Sequence, residues 1–248
     1  MPAFENIDCC ELFFLDIETA PDHACLADCD ARVQALWERE LERLNRRDSK
    51  PPLSADEAYV QEAALMAQFG RIVAIGMGRA RRDDAGQLRL VVKSFVSQTE
   101  VALLERLAQP LRNASRQLRI CGHNLKSFDL PFIVRRMLIK GVALPDALII
   151  ADKKPWEVPH LDSLELWKNG GREWASLETL ACCFGIPSSK EALDGSMVGE
   201  AYWRGELRQI GDYCTKDVVV TAQVFRRLLE RPLFDDDCIE VLETEVLS

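Results

Sequence analysis

The sequence predicts an α/β fold in which a mixed sheet is flanked by helices. Apolar runs rich in branched and aromatic residues alternate with amphipathic helical patterns, which is the signature of mixed layers. Two of the runs, residues 71–78 and 88–95, are joined by a short charged turn around Asp83, Asp84 and Gly86. That spacing predicts a hairpin, so the sheet cannot be wholly parallel. The 248 residues carry no repeat or low-complexity tract, and they read as one domain, residues 1–248.

The first strand spans residues 11–19 and stops at Pro21. An insertion at residues 22–69 follows, with helical patterns at 31–46 and 55–69 broken by Ser49-Lys50-Pro51-Pro52. Ser54-Ala55-Asp56-Glu57 is a capping box that starts the second of these helices. This insertion either covers one side of a site or packs as surface helices with charged outer faces. After the hairpin, Ser97-Gln98-Thr99-Glu100 reads as another capping box, opening a helix to about residue 112. A strand at 118–121 returns to the sheet, and a helix at 128–140 tolerates Pro131 in its first turn. A strand or turn near His160-Leu161-Asp162 precedes a helix at 175–184, stopped by Gly185 and Pro187. The last helical pattern runs from about 212 to 229.

Net charge is −9, yet it is uneven. Eight basic residues lie between 106 and 140 (Arg106, Arg112, Arg116, Arg119, Lys126, Arg135, Arg136 and Lys140) against the single acid Asp129. This zone either attracts phosphate or is a solvated surface. The tail, about 230–248, is acidic and is expected to stay in solvent or to meet a partner. No apolar run approaches the roughly 20 residues that span a bilayer, and no leader pattern opens the chain. A cytoplasmic location and no membrane partner are the expectation. The nine cysteines form no C-x-x-C pair. Cys121, Cys182 and Cys214 fall inside predicted elements and read as reduced, buried thiols. His23-x-Cys25-x3-Cys29 lacks a nearby fourth ligand for zinc.

Three short motifs carry the chemistry. In Asp16-Ile17-Glu18 the period of a strand sends both carboxylates to one face and Ile17 to the other. Two such carboxylates at a buried strand end repel each other, and a divalent cation would relieve that cost; a surface strand end is the plain alternative. In Asn124-x3-Phe128-Asp129 the acid falls at a helix start, where it serves either a metal or the helix dipole. In Tyr213-x3-Asp217 the four-residue spacing stacks phenol and carboxylate on one helical face, as an ordinary exposed helix would also do.

Together, and in this order, the motifs resemble the DEDD superfamily of 3'-5' exonucleases, in the branch with tyrosine in its third motif (DEDDy). The chain looks most like stand-alone relatives of the proofreading domain of family B DNA polymerases, with ribonuclease D-type enzymes more distant. The resemblance implies a ribonuclease H-like fold with the helical insertion after the first strand, and a cofactor of two Mg2+ or Mn2+ ions. By similarity, Asp16 bridges the ions, Glu18 and Asp217 complete the first, and Asp129 holds the second. Tyr213 orients or deprotonates the attacking water. Thr19, Asn124 and Phe128 are candidates for gripping the terminal nucleotide, although Asn124 equally caps a turn and Phe128 equally belongs to the core.

The implied activity is metal-dependent, two-metal hydrolysis from the 3' end of single-stranded or frayed DNA, releasing nucleoside 5'-monophosphates. An exoribonuclease and a catalytically idle nucleic-acid binding or scaffold protein are the competing readings. The partner is a single strand with a free 3' end, DNA rather than RNA; no sequence feature names a protein partner. Asp162 and Asp194-Gly195-Ser196 read as turn or helix caps, with Asp162 also able to tune the site from behind its ligands.

Overall fold

The computed structural model describes residues 7–47, 52–113, 118–151, 153–154, 157–189 and 193–248. Ser49, Lys50 and Pro51 of the expected helix break, and Arg116 of the basic zone, lie outside the described residues. In chain order, β1 (Leu12–Pro21) is followed by α1 (Ala31–Arg47) and α2 (Ala55–Glu62), then β2 (Gly70–Arg82), β3 (Leu88–Ser97) and α3 (Glu100–Arg112). Next come β4 (Arg119–Gly122), α4 (Asp129–Lys140), β5 (Leu161–Asp162), α5 (Ser163–Lys168) and α6 (Leu177–Phe184). The chain finishes with α7 (Val198–Trp203), α8 (Leu207–Leu228), β6 (Ile239–Val241) and β7 (Glu245–Leu247).

Among the described residues the strands form one seven-stranded sheet, ordered β5-β4-β1-β2-β3-β6, with β7 also on β3. The pairs β1/β2 and β2/β3 are antiparallel, whereas β4, β5, β6 and β7 pair in parallel. The sheet is therefore mixed, with the hairpin beside the first strand and the helical insertion directly after it, as the sequence predicts.

Strand periodicity divides β1 between two cores. Phe13, Leu15 and Ile17 pack against Leu103, Leu104 and Leu107 of α3 and against Leu130, Ile133 and Met137 of α4. Leu12 and Phe14 face the other way, onto Val218, Ala222 and Phe225 of α8. Asp16 and Glu18 continue that second face. α8 comes unusually close to β2, because Gly76 and Gly78 have no side chains there. A Cβ on Gly76 would lie 2.6 Å from Val218 Cγ2 and 2.9 Å from Cys214 Sγ, and one on Gly78 would lie 2.8 Å from Val218 Cγ1.

The insertion has a core of its own. Trp37 is fully buried, its ring edge-on to Tyr59 at 5.2 Å and to Phe69 at 5.0 Å, and its Nε1–H donates to the Ala55 carbonyl. The Ser54–Glu57 capping box is formed in full. The helix predicted over 55–69 nonetheless ends at Glu62, gives one 3-10 turn at Ala63–Leu65, and turns extended at Met66. That exit brings Phe69 back onto Trp37, a tertiary contact that outweighs helix propensity. The two ends of the insertion are pinned together, with Asp22 N–H donating to the Phe69 carbonyl at 2.9 Å.

Glu100 does not close a capping box. Its carboxylate is buried and receives Arg136 through two bonds, Nε at 2.8 Å and Nη2 at 2.6 Å, plus the backbone N–H of Ile72 at 2.8 Å. Arg136 also donates to the Ala67 carbonyl at 2.7 Å, so one ion pair ties α3, α4, β2 and the end of the insertion. Ser97 instead donates to the Leu247 carbonyl.

The acidic tail keeps Asp235, Asp236, Asp237, Glu240 and Glu243 in solvent while its backbone joins the sheet. Its strands add to the β3 edge, Glu245 meets Lys93 at 2.5 Å and Arg106 at 3.5 Å, and Thr244 donates to Asp212 at 2.8 Å. Phe234 is buried, its backbone exchanging two hydrogen bonds with the Gln223 side chain. Cys121 and Cys214 are buried as expected, but Cys182 is exposed, on the outer face of α6. No helix among the described residues is long and apolar enough to cross a membrane.

Glu100→Gln leaves the Arg136 guanidinium buried against a neutral group. Removing one partner of a buried pair costs about 3–5 kcal/mol, so urea unfolding should show a loss of that size.

Candidate active site

The first motif is positioned by β1 and by an irregularity in its pairing with β2. Glu18 lies opposite Ala74 and Thr19 opposite Ile72, so Val73 is an extra residue on β2. Such a bulge bends the ladder and re-aims the side chains beside it. Glu18 and Thr19 are buried, and Asp16 keeps some solvent access although protein surrounds it.

α8 delivers the third motif onto this edge. Tyr213 is buried and Asp217 half-buried on one face of the helix, and Cys214 beside Tyr213 is fully buried. The Cys214 thiol lies 3.6 Å from Asp16 Oδ2 and 3.7 Å from the Asp16 carbonyl, so its one proton can be donated to either. Ligand atoms of Asp16, Glu18 and Cys214 come within 4.8 Å of one another, a group that could hold a metal ion. A second such group among the described residues, Asp235, Asp237 and Cys238, sits apart on the C-terminal segment. Cys214 is legible in the sequence only as a buried thiol. Its helical offset of three from Asp217 is the available signal, since i and i+3 share a face.

The second motif is brought in by α4. Asp129 is its first residue, and its carboxylate accepts the Ile17 N–H from β1 at 3.2 Å instead of capping its own helix. The loop before it is shaped by Asp162, whose buried carboxylate accepts N–H groups from Asn124 at 2.9 Å, Lys126 at 3.0 Å and Leu164 at 2.9 Å. Asp162 thus caps α5 and fastens the motif loop at once. Asn124 takes a left-handed conformation, φ 57°, and its carbonyl accepts from Ser127 and Phe128, so its backbone makes the turn. Phe128 packs on the core and on Phe132 at 5.5 Å. It also lines a cleft of about 660 Å³ that opens from Glu18 and Thr19; Asn124 does not line it.

The charges of the three motifs act on one another. Burial raises the Asp16 carboxyl well above the usual carboxylate range, and the charges of Glu18, Asp217 and Asp129 raise it further. Burial also lifts Asp129 to about 8, with Asp162 and Asp217 adding to the rise. The Tyr213 phenol is pushed far up by burial and by Asp217, to which it is hydrogen-bonded, and then by Glu18 and Asp16. A phenol so placed stays protonated and acts as a donor. The negative charge of Asp16, Glu18, Asp129 and Asp217 concentrated here is the environment a divalent metal ion satisfies.

The basic zone around the second motif is largely consumed by the protein itself. Arg136 is buried on Glu100, Lys126 pairs with Glu165 at 2.8 Å, Arg112 with Glu105 at 3.1 Å, and Arg106 with Glu245 at 3.5 Å. Lys140 lies 3.6 Å from Glu100. Each of these five residues has an acidic partner, in most cases from a distant part of the chain, so that the charge of the zone is partly balanced from within the protein.

A mixed sheet with carboxyls gathered from its first strand, from the start of α4 and from the face of α8 that carries Tyr213 defines a DEDDy-type 3'-5' exonuclease domain. The family described as a predicted 3'-5' exonuclease related to the exonuclease domain of PolB matches residues 63–235, and the chain belongs to it. The matched residues include Asp129, Tyr213 and Asp217, while Asp16 and Glu18 precede them. Among solved structures, the chain is similar to the family B DNA polymerase from the hyperthermophilic archaeon Pyrobaculum calidifontis, with 16% identity and a TM-score of 0.53. The likeness covers 88% of this chain and 24% of that polymerase, so it speaks for the fold. No curated protein matches the chain.

Because the folded Asp129 titrates near 8 and an unfolded aspartate near 3.8, the folded state binds the extra proton between those values. In chelator, stability should therefore be greatest below about pH 4 as far as this group is concerned and fall as pH rises through about 8. Melting temperatures at pH 5.5, 7 and 8.5, with and without Mg2+, check this; the gain from Mg2+ should be largest at the highest pH. Asp162→Ala strands the buried Leu164 N–H, at roughly 1–3 kcal/mol, and releases the half-buried Asn124 and Lys126 N–H groups, so chemical unfolding should show a loss in that range or above.

Proposed function

We propose that the chain is one exonuclease domain that removes nucleotides from the 3' end of single-stranded or frayed DNA by metal-dependent hydrolysis, releasing nucleoside 5'-monophosphates. The observation that carries this reading is the gathering of Asp16 and Glu18 on β1 with Asp129, which accepts the Ile17 N–H of that strand, and with α8, which carries Asp217. The family description and the polymerase likeness favour DNA. Nine cysteines without a disulfide support a reducing, cytoplasmic setting.

Asp16, Glu18, Asp129 and Asp217 are the residues that would hold two Mg2+ or Mn2+ ions, since hard carboxylate oxygens suit those cations. When bound, the ions would supply charge stabilisation to the attacking and leaving oxygens of an in-line displacement. The donor set fits them, because burial and the neighbouring carboxylates hold Asp16 above the usual range, a cost that a bound cation offsets. Tyr213, kept protonated, orients the attacking water by hydrogen bonding, and Asp217 fixes the phenol. Its role is positioning, not proton abstraction. Thr19 and Phe128 hold the terminal nucleotide at the head of the cleft, Phe128 by apolar contact with the base or sugar. Asn124 contributes through the turn that sets Phe128 and Asp129.

The test is a time course on 5'-labelled single-stranded DNA and matched RNA in Mg2+, in Mn2+ and in chelator. A metal-dependent ladder shortening from the 3' end on DNA is the expected result. Faster loss of RNA would transfer the activity to an exoribonuclease, and no cleavage of either by folded protein would point to a binding or scaffold role. Asp16→Ala and Asp217→Ala should abolish the ladder while melting no lower than wild type in chelator, since each relieves repulsion. Tyr213→Phe should slow single-turnover cleavage on the order of 100-fold, the cost of a misplaced reactant, with metal affinity retained.

A further inference from the structure

The cleft that begins at Glu18 and Thr19 has two walls. One is the insertion, through Val60 of α2 and Leu65 of the following 3-10 turn; the other is α7, through Gly199 and Trp203. The insertion wall spans the start of the family match, with Val60 of α2 just before it and Leu65 just inside it. Both walls present large apolar groups to solvent. Val60 is 56% exposed, Leu65 57% and Trp203 39%. Exposed apolar residues facing one another across a cleft beside a catalytic cluster mark a ligand surface.

Trp203 is held in place. Its ring stands edge-on to Tyr202 at 5.1 Å, and Tyr202 is buried, receives Arg71 Nη1–H at 3.1 Å and lies under the Arg71 guanidinium. Arg204, the cation at the end of this wall, is occupied by Glu200 and Glu206. The cleft thus offers apolar and aromatic faces, and the arginine that lines it is already neutralised. Of the cations flanking the second motif, Arg106, Arg112, Lys126 and Arg136 are paired as well. Long single strands are held by a groove of cations that follows the backbone together with aromatic platforms for the bases. Of these two elements the cleft supplies the platform. A volume of 660 Å³ falls within the roughly 300–1,000 Å³ of sites that take one small ligand, enough for the last one or two nucleotides.

We propose that Trp203 and Leu65 clamp the 3'-terminal bases of a single strand between α7 and the insertion, and that this clamp, in place of a phosphate track, lets the enzyme act on oligonucleotides of a few residues as readily as on long strands. The inference rests on the exonuclease reading of the acidic site. It also gives the insertion a role, since the insertion completes the second wall.

The test measures kcat/KM on 5'-labelled single-stranded DNA of 3, 6, 12 and 30 nucleotides in Mg2+, at 50 and 200 mM KCl. Values within about threefold across lengths are expected. The salt slope should be shallow, about −1.4 for two phosphate contacts at −0.7 each. Trp203→Ala and Leu65→Ala should raise KM on the order of 10-fold, more than they change kcat, with Trp203→Phe restoring KM because stacking tolerates any aromatic face. A KM that falls more than about 30-fold from 6 to 30 nucleotides with a slope of −4 or steeper, or Trp203→Ala with unchanged KM, would overturn the clamp. If wild type cleaves nothing, the exonuclease reading fails and the clamp is judged by binding. Quenching of tryptophan fluorescence by a hexanucleotide in chelator, lost in Trp203→Phe while calorimetric affinity persists, would sustain it, and no quenching would end it.

Discussion

The acidic site depends on how closely α8 can approach the sheet. Val218 and Cys214 rest directly on the backbone of β2 at Gly76 and Gly78, where any side chain would collide. This contact is what lets Tyr213 and Asp217, on a helix late in the chain, reach Asp16 and Glu18 on its first strand. Close packing of this kind transmits even one extra carbon as a shift of the whole helix. The glycines are therefore as much part of the chemistry as the carboxyls, although neither touches a substrate.

Around that contact the protein separates two uses of charge. At the cluster, negative groups are gathered close enough to raise one another's proton affinity. Elsewhere, charge is matched internally, most completely at the Glu100–Arg136 pair, with a geometry of two parallel bonds and a shared backbone partner on each side. Such a pair adds little net stability compared with an apolar substitute, but it fixes which elements meet. Here it fastens the end of the insertion to α4, the helix that begins with Asp129, so the cleft wall and one acidic residue share a common anchor.

The site is legible in the sequence to the extent that it is periodic. The two-residue spacing of Asp16 and Glu18 and the four-residue spacing of Tyr213 and Asp217 are properties of a strand and a helix, and they survive folding unchanged. Features that rely on distant partners mislead. Ser97 and Glu100 have the spacing of a capping box, but Arg136, 36 residues on, claims the carboxylate. The basic residues between 106 and 140 look unbalanced because Glu165 and Glu245 are far away in sequence. Asp162 is recognisable as a cap, whereas its hold on Asn124 and Lys126 follows only from the parallel pairing of β4 with β5. The cleft is the least legible of all, since its walls come from the insertion and α7, which no local pattern relates.

The segment after α8 has a further consequence. β3 would be the border of the sheet, and β6 and β7 lie along it in succession, opposite Leu90 to Val92 and Phe95 to Ser97. Together they satisfy backbone donors and acceptors that otherwise form a template for another chain. A polypeptide ending at Leu229 would carry every residue of the acidic cluster and still expose this border. It would pass from a self-contained particle to one prone to edge-to-edge association. The acidic tail is thus a guard on solubility, built by covering backbone, over and above the charge it adds.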